Sequence, residues 1–511
     1  MRIVRRDFVR ALGASGACAS LPPPLWKGAA QDWRERLAAD PLRPQYHLLP
    51  AKNWMNDPNG PMHWNGRYHM FFQYNPNTAV WGDMHWAHAV SDDMIHWRHL
   101  PVALAPTPGW DDADGCFTGS AADDHGTATV LYTGVKSCAP EQATLRDGVH
   151  NFREVQCLAT SSDPQLLTWN KWKQPVIQPP SEPGLTGFRD PFLWREDNQW
   201  YLGVGSGLAK QGGRVLLYRS KDLRAWEYLH PLASGKWTGK ESINPVESGE
   251  MWECPDFFPL GKKHVLLYST AGQVIWESGE LDPKEHVFHS ERRGTLDHGA
   301  YYAQKTQLDA KGNRILWGWI PETRPEAEFS AAGWAGCMAL PRILSIHSEG
   351  VLEMRFASEA KTLRAKSFAI PPQRADSSQL GHAMDEIQIE NLAGEITWKS
   401  DSLPAAFTLA DRGGFWWSAK LEPKGAASAM LSVNGIPLDV PLGPKREIEF
   451  HLFLDASVAE LICNSKHAVT TRYYRKPDGP LRIRVSDNDR LALTSLAAWQ
   501  LRPISPDRLT T

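Results

Sequence analysis

Asp57-Pro58-Asn59-Gly60-Pro61-Met62-His63-Trp64-Asn65-Gly66-Arg67-Tyr68-His69-Met70-Phe71-Phe72 reads as one hairpin. A strand runs into a turn at Asn65-Gly66, and an aromatic-rich strand follows. The same grammar returns along the chain. Asp190-Pro191-Phe192-Leu193-Trp194 leads to a polar turn and then to Trp200-Tyr201-Leu202. Pro255 to Phe258 leads to a turn at Gly261-Lys262-Lys263 and then to His264 through Tyr268. Between the first and third units, Phe117 to Ala121 turns at Asp123 to Gly126 into Ala128 to Tyr132. A fifth unit runs Ala303 to Thr306, turns at Lys311-Gly312-Asn313, and continues Arg314 to Trp319.

A second echo falls later in the units. Ser91-Asp92-Asp93-Met94-Ile95-His96-Trp97 matches Ser220 to Trp226, and Ser161-Ser162-Asp163 with Trp169 is a looser copy. Units of roughly 50 to 70 residues with about four short strands each read as propeller blades. Five units predict five blades. In a ring of blades, Asp57, Asp190 and Glu253 converge on the axis, because each occupies the same place in its unit.

The rest of the chain sets bounds. Its 511 residues predict two or three domains. A formal charge of −3 leaves no nucleic-acid footprint. The 23 tryptophans exceed what a core alone needs and lean towards carbohydrate, whose ring faces stack on indole. Seven cysteines, at 18, 116, 138, 157, 254, 337 and 463, fit neither a zinc site nor a disulfide scaffold. Arg5-Arg6-Asp7-Phe8-Val9-Arg10, then a weakly apolar run and Ala17-Cys18-Ala19, resembles a bacterial twin-arginine export signal over residues 1–30. It predicts a periplasmic or extracellular protein. No other stretch is apolar enough to span a membrane.

Residues 41–345 are expected to form the propeller, and the polar stretch to 366 a linker from 346. From 367 to 505 short alternating strands and turns such as Asn434-Gly435 predict a β-sandwich. The predicted fold class is therefore all-β, a five-bladed β-propeller followed by a C-terminal β-sandwich.

Converging carboxyls with aromatic neighbours are the usual equipment for cleaving a glycosidic bond. Taken singly, each has a plainer reading. Asn56 to Gly60 is good turn chemistry, Arg189-Asp190 suits an ion pair, and Glu253 suits a strand end. Their joint occurrence in a repeat favours chemistry. Asp111-Asp112-Ala113-Asp114-Gly115 has the look of a calcium loop, but no Glu follows at the twelfth position. A surface loop is expected there.

These blocks resemble glycoside hydrolase family 32, the invertases, levanases and inulinases. The resemblance rests on Trp54 to Gly60, Phe188 to Pro191 and Glu253-Cys254-Pro255, in that order. It extends to Gln73-Tyr74-Asn75-Pro76, Trp81 to His88, Phe117-Thr118-Gly119-Ser120 and Phe453 to Val458, and so covers about residue 45 to the C-terminus. It implies a retaining double displacement on terminal β-fructofuranosyl units of sucrose or fructans. Asp57 would be the nucleophile, its pKa kept low by backbone donors and Asn56. Glu253 would be the general acid, set against an apolar wall for which Trp252 is the candidate. Asp190, with Arg189 pairing beside it, would hold fructosyl hydroxyls. Asn56, Gln73, Trp81, Phe117, Thr118, Arg189 and Trp319 would bind the sugar. Thr118 stands where the family often has Ser and keeps the hydroxyl. The resemblance implies no metal and no cofactor, so His85, His88, His96 and His99 are expected in packing or hydrogen bonding. Two alternatives stay open: fructosyl transfer at the same site, and an inverting arabinan or xylan hydrolase of the five-bladed type.

Overall fold

The computed structural model describes residues 33–370, 373–374, 384–400, 405–425, 427–442, 447–484 and 492–508. The expected export signal, with Cys18, lies outside them. Five antiparallel sheets come first, each about four strands wide. Their first strands are Asn53–Trp64, Gly115–Asp124, Leu185–Glu196, Glu253–Leu260 and Tyr302–Leu308. These inner strands touch one another in cyclic order, the first meeting the fifth, so the sheets are blades around an axis. Inner strands are buried almost throughout, while an outer strand such as Phe288–Thr295 is mostly exposed.

Apolar side chains fill the gaps between blades. Met62, Phe71, Trp86 and Tyr132 join the first and second blades. Phe192, Tyr201, Phe257 and Tyr268 join the third and fourth. The ring closes by an unusual stitch. The fifth blade sends out residues 321–341 between its second and third long strands, and from this excursion Trp334–Ala335 pairs in parallel with Asn53–Trp54. Gly336 allows the approach: its φ is +76°, and a Cβ there would sit 2.2 Å from the Met55 carbonyl oxygen.

The repeated Ser-Asp-Trp echo is one turn used three times. Asp93, Asp163 and Asp222 each accept a backbone N–H two residues ahead at 2.9 Å, and Trp97, Trp169 and Trp226 each donate an indole N–H to the carbonyl three residues back at 3.0 Å. The accepting residues Met94, Leu166 and Leu223 all have positive φ, from 57° to 66°. The side-chain bonds offset that backbone strain.

Behind the propeller lies a two-sheet sandwich, with Trp398, Trp417, Phe450 and Leu461 in the core between its sheets. The segment 346–366, expected as a linker, is structured. Leu352–Phe356 is the outer strand of the fifth blade, a 3-10 turn covers Ser358–Leu363, and Arg364–Ile370 already belongs to a sandwich sheet. Leu352, Met354 and Phe356 alternate inward, a signal hidden in the sequence by the charged residues between them. Among the described residues no helix is long and apolar enough to cross a membrane.

Candidate active site

Each inner strand carries a β-bulge at the same level. The register with its neighbour slips between Met55 and Pro58, Cys116 and Gly119, Arg189 and Phe192, Glu253 and Asp256, and Tyr302 and Lys305. A bulge bends the strand and re-aims its side chains. Here it aims Asp57, Thr118, Asp190 and Cys254 towards the axis. It also explains the prolines in the sequence blocks. Pro191 and Pro255 fall inside bulges and Pro58 closes one, positions where a missing N–H is tolerated. Asp190 and Cys254 adopt φ of 63° and 47°, strain concentrated at the site.

All ten residues expected at the site line one cavity of about 260 Å³: Asn56, Asp57, Gln73, Trp81, Phe117, Thr118, Arg189, Asp190, Glu253 and Trp319. Asp57 keeps part of its surface open to the cavity. Its Oδ1 accepts from Asn56 Nδ2 at 2.9 Å and its Oδ2 from Thr118 Oγ1 at 2.6 Å. Burial nevertheless outweighs these donors and, with the charge of Glu253, raises its pKa above the ordinary value. The expectation of a lowered pKa is corrected on that ground. Asp190 is 3 % exposed and accepts from the Cys254 backbone N–H at 2.9 Å. Burial first, and then Glu253 and Asp57, push its pKa up to about 7 against the pull of Arg189 and Lys305. The Cys254 thiol lies between the two aspartates, 3.4 Å from Asp57 and 3.6 Å from Asp190.

Glu253 sits in a different setting from the one expected. Trp252 points away from the cavity, 4 % exposed, and stacks on Tyr268 with centroids 3.8 Å apart. Trp252 directly precedes the strand that begins at Glu253, and neighbouring residues of an extended chain face opposite sides. The partners of Glu253 are Arg189, whose Nη2 lies 2.8 Å from Oε1, and Tyr302, whose hydroxyl donates to Oε2 at 2.7 Å. Arg189 pairs with Glu253 and with buried Glu154, at 2.9 Å, rather than with its neighbour Asp190. Glu154 also accepts the Phe188 N–H at 2.8 Å, fixing the strand that carries Arg189.

Tyr302 and Glu154 escaped the sequence reading. Tyr302 has the same place in the fifth blade that Glu253 has in the fourth, one residue before the bulge. Starting the fifth unit at Tyr302 instead of Ala303 would have found it. Glu154 lies mid-strand with no local motif around it.

Trp81 stands 40 % exposed at the rim and meets Phe117 edge-on at 5.8 Å. Trp319 packs on Trp54, whose indole N–H holds Asn56 Oδ1 at 2.8 Å. The acidic run near residue 112 is a turn with Asp114 exposed, as expected, but one of its carboxylates points inward. Asp112 is 1 % exposed, pairs with Lys171 and accepts from the Tyr132 hydroxyl at 2.7 Å. His88 is buried and bonded to His69 at 2.8 Å, and His96 is bonded to Asp93 at 2.7 Å.

A ring of blades with carboxylates at its axis defines a class of enzyme, and the chain's relatives define it further. The family model for the N-terminal domain of glycosyl hydrolases family 32 matches residues 47–355. The chain belongs to this family, and it is a glycosidase that hydrolyses O-glycosyl bonds. It is similar to sucrose-6-phosphate hydrolase of Escherichia coli, 35 % identical over 490 residues that cover 90 % of this chain and 94 % of the other. It is also similar to raffinose invertase of Escherichia coli, 34 % identical over 506 residues covering 92 % and 98 %. Among solved structures it is similar to fructan 1-exohydrolase IIa from Cichorium intybus, with a TM-score of 0.77, 26 % identity, and 91 % and 98 % of the two chains covered.

Proposed function

We propose that the protein releases terminal non-reducing β-D-fructofuranosyl units from sucrose and fructans by a retaining double displacement. The observation that carries this reading is the meeting of Asp57, Asp190 and Glu253, from three separate blades, in one cavity on the propeller axis. The relatives support the choice of sugar. Two are named for sucrose 6-phosphate and raffinose, the Cichorium intybus enzyme is also solved with 1-kestose, and a β-fructofuranosidase from Bombyx mori is solved with sucrose.

The chemistry follows from the contacts. Asp57 attacks the anomeric carbon and forms a fructosyl ester. The Asn56 and Thr118 donors orient its two oxygens for this. Glu253 gives its proton to the departing oxygen, then takes one from the water that cleaves the ester. Retention by this route needs the two carboxyls about 5–5.5 Å apart. Arg189 and Tyr302 hold Glu253 in place through both oxygens. Asp190 binds fructosyl hydroxyls and steadies the positive charge that develops on the ring.

The test is fructose release from sucrose, inulin and levan, with Asp57→Ala and Glu253→Ala in parallel. Each substitution is expected to lower kcat on the order of 10⁴-fold while far-UV circular dichroism stays unchanged. Near-native turnover in either folded variant would sink the assigned role. Release of pentoses with inversion would move the protein to a different reaction.

A further inference from the structure

The cavity has a floor and a rim of different character. Asn56, Gln73, Thr118, Arg189 and Asp190 form the floor, each 8 % exposed or less. A terminal fructosyl ring seated there must send the rest of its substrate outward, past the rim. Two loops build that rim. One follows the short second-blade strand Leu145–Arg146, and the other passes through Asn244-Pro245-Val246 between the third and fourth blades. They are packed together, since a Cβ on Gly148 would come within 2.7 Å of Ile243.

The first loop is held rigidly. Asp147 Oδ1 accepts the Val149 and His150 backbone N–H groups at 2.9 and 2.6 Å, and its Oδ2 meets His150 Nδ1 at 2.9 Å. The His150 ring lies 5.1 Å from Trp81 and stacks on Phe152 at 5.0 Å. Together they make an aromatic shelf at the mouth. Beside it, Arg146 and Asp147 present a donor and an acceptor, the pairing that sugar hydroxyls suit.

The charges around the cavity are unequal. Four carboxylates line it, Asp57, Asp147, Asp190 and Glu253, against two guanidinium groups, Arg146 and Arg189. Arg189 is already committed to Glu253 and Glu154. Arg146 is adjacent to Asp147, and its Nε is taken by the Ala143 carbonyl oxygen at 2.9 Å. No other Lys or Arg among the described residues lines the cavity. With Glu253 paired to Arg189, a phosphate dianion at the rim would meet Arg146 and Asp147 there and, behind them, Asp57 and Asp190, which pair with no guanidinium.

We infer that the rim is the leaving-group subsite and is built for an uncharged sugar, with Asp147 disfavouring a phosphorylated one. This rests on the fructosidase reading and sharpens it: sucrose and neutral fructans are substrates, and sucrose carrying a phosphate on glucose is a poor one.

The experiment compares kcat/KM for sucrose and sucrose 6-phosphate at pH 8, in low and high salt, for the full chain and for Asp147→Asn. Asn keeps the acceptor oxygen that the turn uses and removes the charge. Sucrose is expected to be favoured by at least about tenfold at low salt, since charges a few ångströms apart near a protein surface interact by more than that factor. High salt narrows the gap by screening. Asp147→Asn narrows it further, several-fold in the ratio of the two constants. Equal or faster use of the phosphosugar by the native chain overturns the inference, as does a gap insensitive to both salt and the substitution. The salt series alone decides the matter if the variant does not fold. No fructose from either sugar, or from inulin and levan, overturns the fructosidase reading instead, and the inference falls with it.

Discussion

Two clusters of buried charge sit in this molecule, and they are solved in opposite ways. One lies at the seam between propeller and sandwich. There His47 bridges Asp455 at 2.8 Å and Glu460 at 2.9 Å, and Arg342 bridges Glu460 at 2.6 Å and Asp297 at 2.9 Å, every side chain wholly buried. Backbone N–H groups of Gln45, Tyr46 and His47 also reach the Asp455 carboxylate, at 2.6 to 3.0 Å. Each carboxylate meets a cation. Accordingly the pKa of Glu460 is lowered by Arg342 and His47 against its own burial, and that of His47 is raised to about 9 by its two carboxylates, again against burial. At the axis Asp57 and Asp190 accept from neutral donors instead of a paired cation, and burial, first of all, raises both. The seam is arranged to hold; the axis is arranged to react, and some stability is forgone there.

The largest expected effect breaks the seam. Arg342→Met leaves Glu460 and Asp297 buried without their guanidinium partner. Losing one member of such a cluster costs about 3–5 kcal/mol. The melting temperature is expected to fall by about 5 °C, read by calorimetry, while kcat/KM at 25 °C changes far less. An unchanged melt would mean that the seam is packing with incidental charge, and the comparison would fail.

A smaller effect separates the two clusters by pH. A carboxyl raised from 3.8 to about 7, as Asp190 is, makes the folded state bind more protons between those values. Stability therefore falls as pH rises through that window. His47, raised from 6.5 to about 9, contributes stability that is complete below 6.5 and lost as pH rises through 9. Asp190→Asn is thus expected to raise stability at pH 8 by a few kcal/mol at most while abolishing most activity. His47→Gln is expected to lower stability near pH 6 and to flatten its decline between 6.5 and 9. Melts across pH 4 to about 9.5 test both. A destabilised Asp190→Asn at pH 8 would show that its carboxylate is held as firmly as those of the seam.

The sequence exposed what is local and hid what depends on neighbours. Hairpins, the repeated Asp-Trp turn and the acid-proline blocks are all written within a few residues, and each appears in the fold. The prolines of those blocks fall at the bulges, a meaning that only the strand register discloses. Three things depend on strands far apart. Trp252 lies just ahead of the strand that begins at Glu253, and its stacking partner Tyr268 belongs to the next strand. Glu154 is recognised only through Arg189, 35 residues away. The direction of the Asp57 shift depends on how much protein surrounds it, which its adjacent donors do not reveal.

The finest test works on one of those donors. Thr118 comes from the second blade and gives its hydroxyl to Asp57, in the first, at 2.6 Å. That bond favours the ionised carboxylate and opposes the upward push of burial. Thr118→Val keeps the shape and removes the donor. The Asp57 pKa must then move further up, so the fraction ionised at a given acidic pH falls. The acid limb of the kcat/KM profile is expected to shift to higher pH, with the plateau less affected. Thr118→Ser restores the hydroxyl and should return the limb to its native position. A limb that moves equally in both variants would trace the change to packing. A limb that moves in neither would place the titration on a group other than Asp57, and the axis would be controlled by a different carboxyl from the one the contacts single out.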